Sequence, residues 1–331
     1  MGRFEIRDRI GRLDPERDYA EIYRLMVFYE YPWDLRMVGK TMIWHLYAVP
    51  STASVVGSTD DLTNRAEETS LVFGELIEHG LDSARGRATL RMINRSHRGW
   101  PISDEDHRYA LAALAVTAIR WLDRYAWRKP SPNERAATVL FYAELGRRIG
   151  VSDLPRSYPA VAEYLAECER DRIAYSPIGQ QVSERTIEMA RSRTPGPLAP
   201  LVGPVISALL DPPVRAAVGL PVPPRAIRWA LRVLLYVRPK VVRWLPPRRE
   251  PTTPHTRRGY PRRVSRRLPL SFGAECFTLS TSRDVHRGNR SRRHTRYCCR
   301  RWNFGGTPTL WRNALSTSLS TTSTGRPRTK A

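Results

Sequence analysis

Signals that start and stop helices follow one another along most of this chain, and no other feature constrains its fold as strongly. The DPE at 14–16 places a capping residue, a proline at the first helical position and an acid in the first turn. The SPNE at 131–134 repeats the pattern as a fuller capping box. No segment alternates apolar and polar residues in the way that a strand does. The sequence therefore predicts an all-α protein.

Apolar residues at helical spacing give the approximate limits of these helices. Beyond Arg193, closely spaced prolines divide the chain into short helical pieces, of which 225–237 is the longest. We predict one helical domain over residues 8–247, with a Pro-rich helical C-terminal part. The earlier helices are expected at about 15–30, 33–47, 62–79, 83–97, 103–127, 131–150, 159–174 and 181–191.

The positive charge is concentrated at the C-terminal end. The net charge is +23, and residues 251–331 hold 18 Lys and Arg against 2 acids, or 18 − 2 = +16, which leaves +7 for residues 1–250. The domain is therefore only mildly basic, and we expect no specific nucleic-acid partner. Residues 248–331 are rich in Arg, Ser and Thr without a period, which predicts disorder or out-of-frame translation. An RNA- or lipid-binding arm is the functional alternative.

No segment is apolar over the length that a signal peptide or a membrane span requires. The most apolar run, at 109–122, is interrupted by Arg120 and is shorter than the roughly 20 residues of a spanning helix. We expect no transmembrane segment, and a peripheral membrane contact stays open. The domain has one cysteine, Cys168, which is typical of a cytoplasmic protein. The sequence carries no signal for the oligomeric state.

His97 is the strongest single candidate for a functional residue, because the usual motifs are absent. The chain has no GxGxxG, P-loop, GxSxG or HExxH. On the helix at 83–97, Leu90, Ile93 and His97 share a face, with Asn94 beside them. An imidazole that projects from the apolar face of a helix is well placed to bind a metal in a pocket that excludes water. The alternative is a half-buried histidine that is hydrogen bonded to a backbone carbonyl.

The preceding helix carries a second polar group. Arg65, Glu68 and Thr69 are spaced at i, i+3 and i+4, which sets them on one face. Arginine is a fixed cation that suits a propionate or a bound oxygen species, and threonine offers a hydroxyl group. The alternative is a solvated face with contacts inside the helix.

The other histidines have simpler interpretations. His45 lies in an apolar helix and is expected in the core or a pocket wall, whereas His79 lies at a helix C-terminus, where a cation is favoured. His107 could join Asp104 and Asp106 in a non-haem metal site. A solvated first turn is the interpretation that we favour for His107.

Several longer segments, in this order and spacing, resemble the MpaB oxygenase family, whose relatives include the catalytic domain of rubber (latex-clearing) oxygenase. The likeness runs from about residue 10 to 247. No segment is specific alone. The segments that carry the resemblance are LDPERDYAEIYRL, the VPS at 49–51, RxxET at 65–69, GLDSARGRATLRMINRSH at 80–97, ISDEDHRYAL, and ERAATVLFYAELGRRIGVSDLP.

The resemblance implies a globin-like, all-α protein that binds haem b and uses dioxygen on carbon–carbon double bonds of isoprenoid chains. The family's axial iron ligand falls on His97, with Asn94 beside it in the cofactor site, and its pocket Arg and Thr fall on Arg65 and Thr69. Rubber oxygenases carry Lys one residue before that Thr. This chain has Glu68 there, which changes the polarity and puts rubber cleavage in doubt, although an acid could transfer protons.

The family's Asp-x-x-Tyr matches Asp106 and Tyr109, for which we favour packing and capping over catalysis. The sequence as a whole predicts a haem-dependent oxygenase whose partners are dioxygen and a small hydrophobic substrate. That substrate would enter an apolar cavity lined by the helix at 104–126. The alternative is a helical binding protein for apolar ligands that performs no chemistry.

Overall fold

The described part of the chain is helical throughout. The computed structural model describes residues 2–58, 62–246 and 248–252, and for residues 62–67 it describes the backbone alone. These residues contain no strand, so the predicted all-α class is confirmed. The helices are α1 Glu5–Gly11, α2 Pro15–Leu25, α3 Pro32–Tyr47, α4 Pro50–Gly57, α5 Leu62–His79, α6 Ala84–His97, α7 Asp104–Tyr125, α8 Pro132–Ile149, α9 Tyr158–Arg172, α10 Pro177–Ser192, α11 Val202–Leu209, α12 Pro212–Ala217 and α13 Arg225–Trp244.

Helix limits depart from the prediction in a few places, each with a local cause. The helix expected at 15–30 is divided, because a π-helical turn, Met26–Glu30, follows α2. The N-terminus of α10 lies earlier than expected, because the Ser176 hydroxyl accepts a hydrogen bond from the Gly179 N–H. Helix α13 continues through Pro239 to Trp244. The short helices α1 and α4 were not predicted.

Helix α7 forms the centre of the main core. It packs against α3, α8 and α9, and its side chains from Tyr109 to Leu122 are buried on several sides. Alanines at 112, 113, 115 and 118 let the neighbouring helices approach closely. A smaller apolar cluster around Tyr47 and Val182 joins α3 to α10.

A buried ion cluster fastens the N-terminus of α8 to the turn after α2. Arg128 donates to Glu30 Oε1 at 2.7 Å and to both oxygens of Glu134 at 2.7 and 2.8 Å. The side chains of Glu30 and Glu134 are 1% and 0% exposed. Glu134 also completes the predicted capping box with Ser131, which is confirmed. Both carboxylates therefore depend chiefly on one guanidinium group for their charge compensation, with Arg3 as a further cation that acts on Glu30.

The structure bears only in part on two further predictions, the absence of a transmembrane segment and the nature of the C-terminal tail. Within the described residues, no helix combines the length and the apolar character needed to cross a membrane. Of the predicted tail, 248–331, only residues 248–252 are described. Its disordered or out-of-frame nature and the domain limit at 247 stay predictions.

Candidate functional site

Helix α6 carries the candidate ligand at its last residue, and its start is fixed by two local contacts. The Ser83 hydroxyl caps the helix by accepting a hydrogen bond from the Gly86 N–H at 2.8 Å. Gly86 lies against the carbonyl of Gly80, the residue that ends α5 in a left-handed conformation at φ 77°. A Cβ atom at Gly86 would collide with that carbonyl oxygen. The close approach sets the direction in which α6 delivers His97.

His97 is half-buried and pairs with a second histidine from the next helix. The chain reverses over residues 98–103, so the first turn of α7 returns to the last turn of α6. His97 Nδ1 lies 3.2 Å from His107 Nε2, and the two ring centroids are 4.9 Å apart. The first turn of α7 is solvated at Asp104 and Glu105, as expected, whereas the ring of His107 is half-buried against His97. The sequence carried one signal for this pair, the short connection between the two helices.

The partners of this pair determine which ring nitrogen carries each proton. His107 Nδ1 lies 3.1 Å from the carbonyl oxygen of Ser103, which can only accept a hydrogen bond, so a neutral His107 donates from Nδ1. Its Nε2 then accepts from His97 Nδ1–H. His97 therefore carries its proton on Nδ1 and a lone pair on Nε2, the form in which an imidazole binds a metal.

An open cavity of about 340 Å³, closer to a surface depression than to an enclosed pocket, lies beside this pair. It is not the apolar cavity expected along the helix at 104–126, which stays a prediction. Helix α7 contributes only polar residues of its first turn, and two aliphatic side chains complete a mixed lining. The lining residues are Asn94, His97, Arg98, Asp104, His107, Ile149 and Val151.

Among the predicted site residues, Asn94 and His97 come together, whereas Glu68 and Thr69 of α5 lie apart from their cavity. Asn94 donates from Nδ2 to the carbonyl of Arg148 at 3.3 Å, which ties α6 to the end of α8. Glu68 and Thr69 are exposed and do not line the cavity. The side chain of Arg65 lies outside the described residues. The functional roles of Arg65, Glu68 and Thr69 stay predictions.

The Asp-x-x-Tyr pair packs and does not line the cavity. Asp106 is buried and accepts hydrogen bonds from Ser51, at 2.8 Å, and from Arg172. Burial raises its pKa, but the hydrogen bonds from these groups and from Ser103 outweigh burial and lower it. Tyr109 is fully buried and donates to the carbonyl of His45 at 3.3 Å. The packing interpretation is confirmed.

The donor set suits an iron that needs only one protein ligand. Across the residues that the structure describes, no three His, Cys, Asp or Glu side chains form a group that could hold a metal ion alone. Asp106 is instead occupied by Ser51 and Arg172. A porphyrin brings four nitrogens of its own, so one oriented imidazole satisfies the protein's part. His97, with Nδ1 beside His107, can supply that one imidazole, whereas the open and mainly polar cavity beside it does not by itself enclose a macrocycle.

Comparison with known proteins identifies relatives of this chain. Residues 42–239 match the family model described as "ER-bound oxygenase mpaB/B'/Rubber oxygenase, catalytic domain". Over 159 residues the chain is 24% identical to the ER-bound oxygenase mpaB of Penicillium brevicompactum, covering 45% of this chain and 40% of that protein. Identity to mpaB' of the same species and to mpaB of Penicillium roqueforti (strain FM164) is also 24%, over 37% and 53% of their lengths. The chain thus spans roughly half or less of these relatives.

Proposed function

The chain belongs to the family of the ER-bound oxygenases mpaB/B' and the rubber oxygenases, and from this premise we propose that it is a haem b-dependent oxygenase. Its substrates would be dioxygen and a hydrophobic, unsaturated molecule of the isoprenoid class. The observation that carries the proposal is the pair of His97 and His107 beside a cavity. The family match from residue 42 to 239 includes every residue of that cavity.

Each residue of the site has a distinct part in this proposal. His97 would hold the haem iron, and His107, whose Nε2 lies beside Nδ1 of His97, would fix the orientation of its ring. Arg98, at the edge of the cavity, offers a cation to a propionate. When bound, haem supplies the activation of dioxygen, and the protein supplies binding, orientation and electrostatics.

The α5 group and the cellular location complete the proposal. From the family pattern alone, Arg65 and Thr69 would provide hydrogen-bond donors and Glu68 would transfer protons. Glu68 and Thr69 are exposed and do not line the cavity beside His97, so these roles rest on the family resemblance. Cys168, the cysteine within the described residues, is buried and unpaired, which supports a reducing, cytoplasmic location.

The function is tested by oxygen uptake. We expect the full chain, loaded with haem, to consume dioxygen when squalene is added and not when its saturated counterpart squalane is added, because the reaction requires a carbon–carbon double bond. An oxygen electrode measures the uptake, and free haem at the same concentration is the control. Haem binding without uptake on squalene would favour a non-catalytic binding protein for apolar ligands.

His107 is expected to set the tautomer of His97. In His107→Phe the flat ring remains but the acceptor is lost, so His97 should no longer be held as the Nδ1–H form. We expect haem affinity to fall by about 10–100-fold, the usual loss when the hydrogen-bond partner of a metal-binding histidine is removed. Haem titration followed by absorbance measures the affinity.

The tautomer is measured independently of haem by nitrogen NMR of the imidazole side chains in the cofactor-free protein, well above the ordinary histidine pKa of about 6.5. His107→Gln is the matched variant, because its amide oxygen can accept the same hydrogen bond and should restore the Nδ1–H form. If His97 keeps that form in His107→Phe, His107 is not its acceptor.

A further inference from the structure

Helix α13 exposes an apolar face to solvent along its whole length. At 3.6 residues per turn, one side of the helix faces the body of the protein, where Leu231, Leu235 and Val242 join the core. The opposite side is exposed, with Trp229 68% and Trp244 87% accessible. The exposed apolar stripe consists of Ala226, Trp229, Ala230, Val233, Val237, Val241 and Trp244.

The helix is held in place by its other side, so this exposure belongs to a docked helix. Arg238 donates to both oxygens of Asp34, at 2.9 and 3.1 Å, and its guanidinium lies 3.7 Å from the centre of the Trp33 ring. Asp34 is 1% exposed. Helix α13 also packs against α7 and α11. One side is thus anchored by a buried ion pair while the stripe faces outward.

Basic side chains border the stripe, and acids are absent from the sequence around it. Arg225, Arg232 and Arg243 are exposed on the flank of the helix, and Arg248 and Arg249 follow it. Lys240 lies next to the stripe and donates to the Tyr236 hydroxyl at 2.7 Å. From residue 212 to residue 249 the sequence contains no Asp or Glu. A surface that matches this helix would therefore offer an apolar layer to the stripe and negative charges to the basic side chains that border it.

We propose that α13 docks the protein onto the surface of a membrane that contains anionic lipids, with the apolar stripe in the boundary between headgroups and acyl chains. An amphipathic helix with Trp on its apolar face and Arg on its polar flank is the usual form of such a contact. Tryptophan is well suited to that boundary, because its ring is apolar and its N–H is polar. The proposal does not depend on haem, and it places the protein where hydrophobic molecules reside.

A second copy of the chain is a poorer occupant. In a symmetric pair formed through this stripe, the arginine flanks of the two α13 helices would lie close together without acids between them. A nucleic acid would use the arginines but would leave the valines of the stripe without a partner. Of these three occupants, the anionic lipid surface is the one that offers a partner both to the apolar stripe and to the arginines beside it.

The test is co-sedimentation of the full chain with vesicles of phosphatidylcholine, with and without phosphatidylserine. We expect binding only to the vesicles that contain phosphatidylserine. Trp229→Ser with Trp244→Ser should weaken it by at least about tenfold, because two large apolar side chains no longer enter the lipid. Arg225→Gln with Arg232→Gln should also weaken it and reduce its dependence on salt.

Matched controls use exposed residues elsewhere in the protein. Leu198→Ser with Leu201→Ser removes two exposed apolar side chains outside α13, and Arg91→Gln with Arg95→Gln removes two exposed charges from α6. Both should bind vesicles like the parent. Full binding by the tryptophan variant would overturn the proposal, because another part of the chain would then be the contact. A second result would also overturn it: the parent forms a dimer in ultracentrifugation and does not bind vesicles, and the tryptophan variant does not form that dimer.

Discussion

His97→Ala is expected to abolish the Soret spectrum of the haem-loaded protein, since it removes the imidazole that we propose as the iron ligand. His97 is half-buried at the last residue of α6, so its loss should have little effect on folding. We expect a stability loss of at most about 1 kcal/mol, or about 2–4 °C in melting temperature for a domain of this size. Absorbance spectra after haem titration and thermal unfolding followed by circular dichroism measure the two effects separately.

His79→Ala is the matched control, because His79 also lies at the end of a helix and is partly exposed. It should bind haem with the parent spectrum, which would exclude adventitious coordination by surface histidines. A complementary variant, His97→Gly, leaves space for a free imidazole molecule in place of the side chain. Added imidazole should restore the spectrum of His97→Gly and leave that of His79→Ala unchanged. An unchanged spectrum in His97→Ala would show that His97 is not the ligand.

The sequence predicted the helices well because their signals are local. The capping groups at Ser83, Ser103 and Ser131 act within three residues, and the structure shows each of them in its expected contact. The short helix α4 lacks a side-chain cap, and it spans only eight residues, too few for a clear period. The continuation of α13 past Pro239 depends on anchoring by Arg238 to α3, which no local pattern can indicate.

The candidate site was predictable in part, for the same reason. The position of His97 and Asn94 on one face follows from helix geometry, and the structure places both beside one cavity. The pairing with His107 depends on how residues 98–103 turn the chain, which a list of helices does not specify. The apolar cavity expected along α7 stays a prediction, and the alanines of that helix pack closely with its neighbours.

Arg128→Met is the second change for which we expect a large effect, on stability and not on cofactor affinity. It leaves Glu30 and Glu134 buried without the guanidinium that compensates them. Breaking a buried ion pair from one side costs about 3–5 kcal/mol, or about 6–20 °C in melting temperature at this domain size. Burial already raises the pKa of Glu30 in spite of Arg128, so the carboxylate has little capacity to remain charged alone.

The effect of Arg128→Met should depend on pH in a defined direction. Without the guanidinium, burial should hold the folded-state pKa of the Glu30 carboxyl above its unfolded value of about 4.3. The folded state then binds more protons than the unfolded state between the two values, so stability falls as pH rises through that window. Urea unfolding of parent and variant at pH 5 and at pH 7 should therefore give the larger difference at pH 7.

Removing the orphaned charges tests whether they cause the loss. Glu30→Gln with Glu134→Gln in the Arg128→Met background should recover a large part of the stability and remove most of its pH dependence, because glutamine at position 134 can keep the capping box. Arg147→Met is the matched control, since the exposed Arg147–Glu144 pair on the same helix should contribute at most about 1 kcal/mol. If Arg128→Met costs no more than this control, the two glutamates are neutral in the folded protein, and Arg128 does not hold the α8 N-terminus by charge.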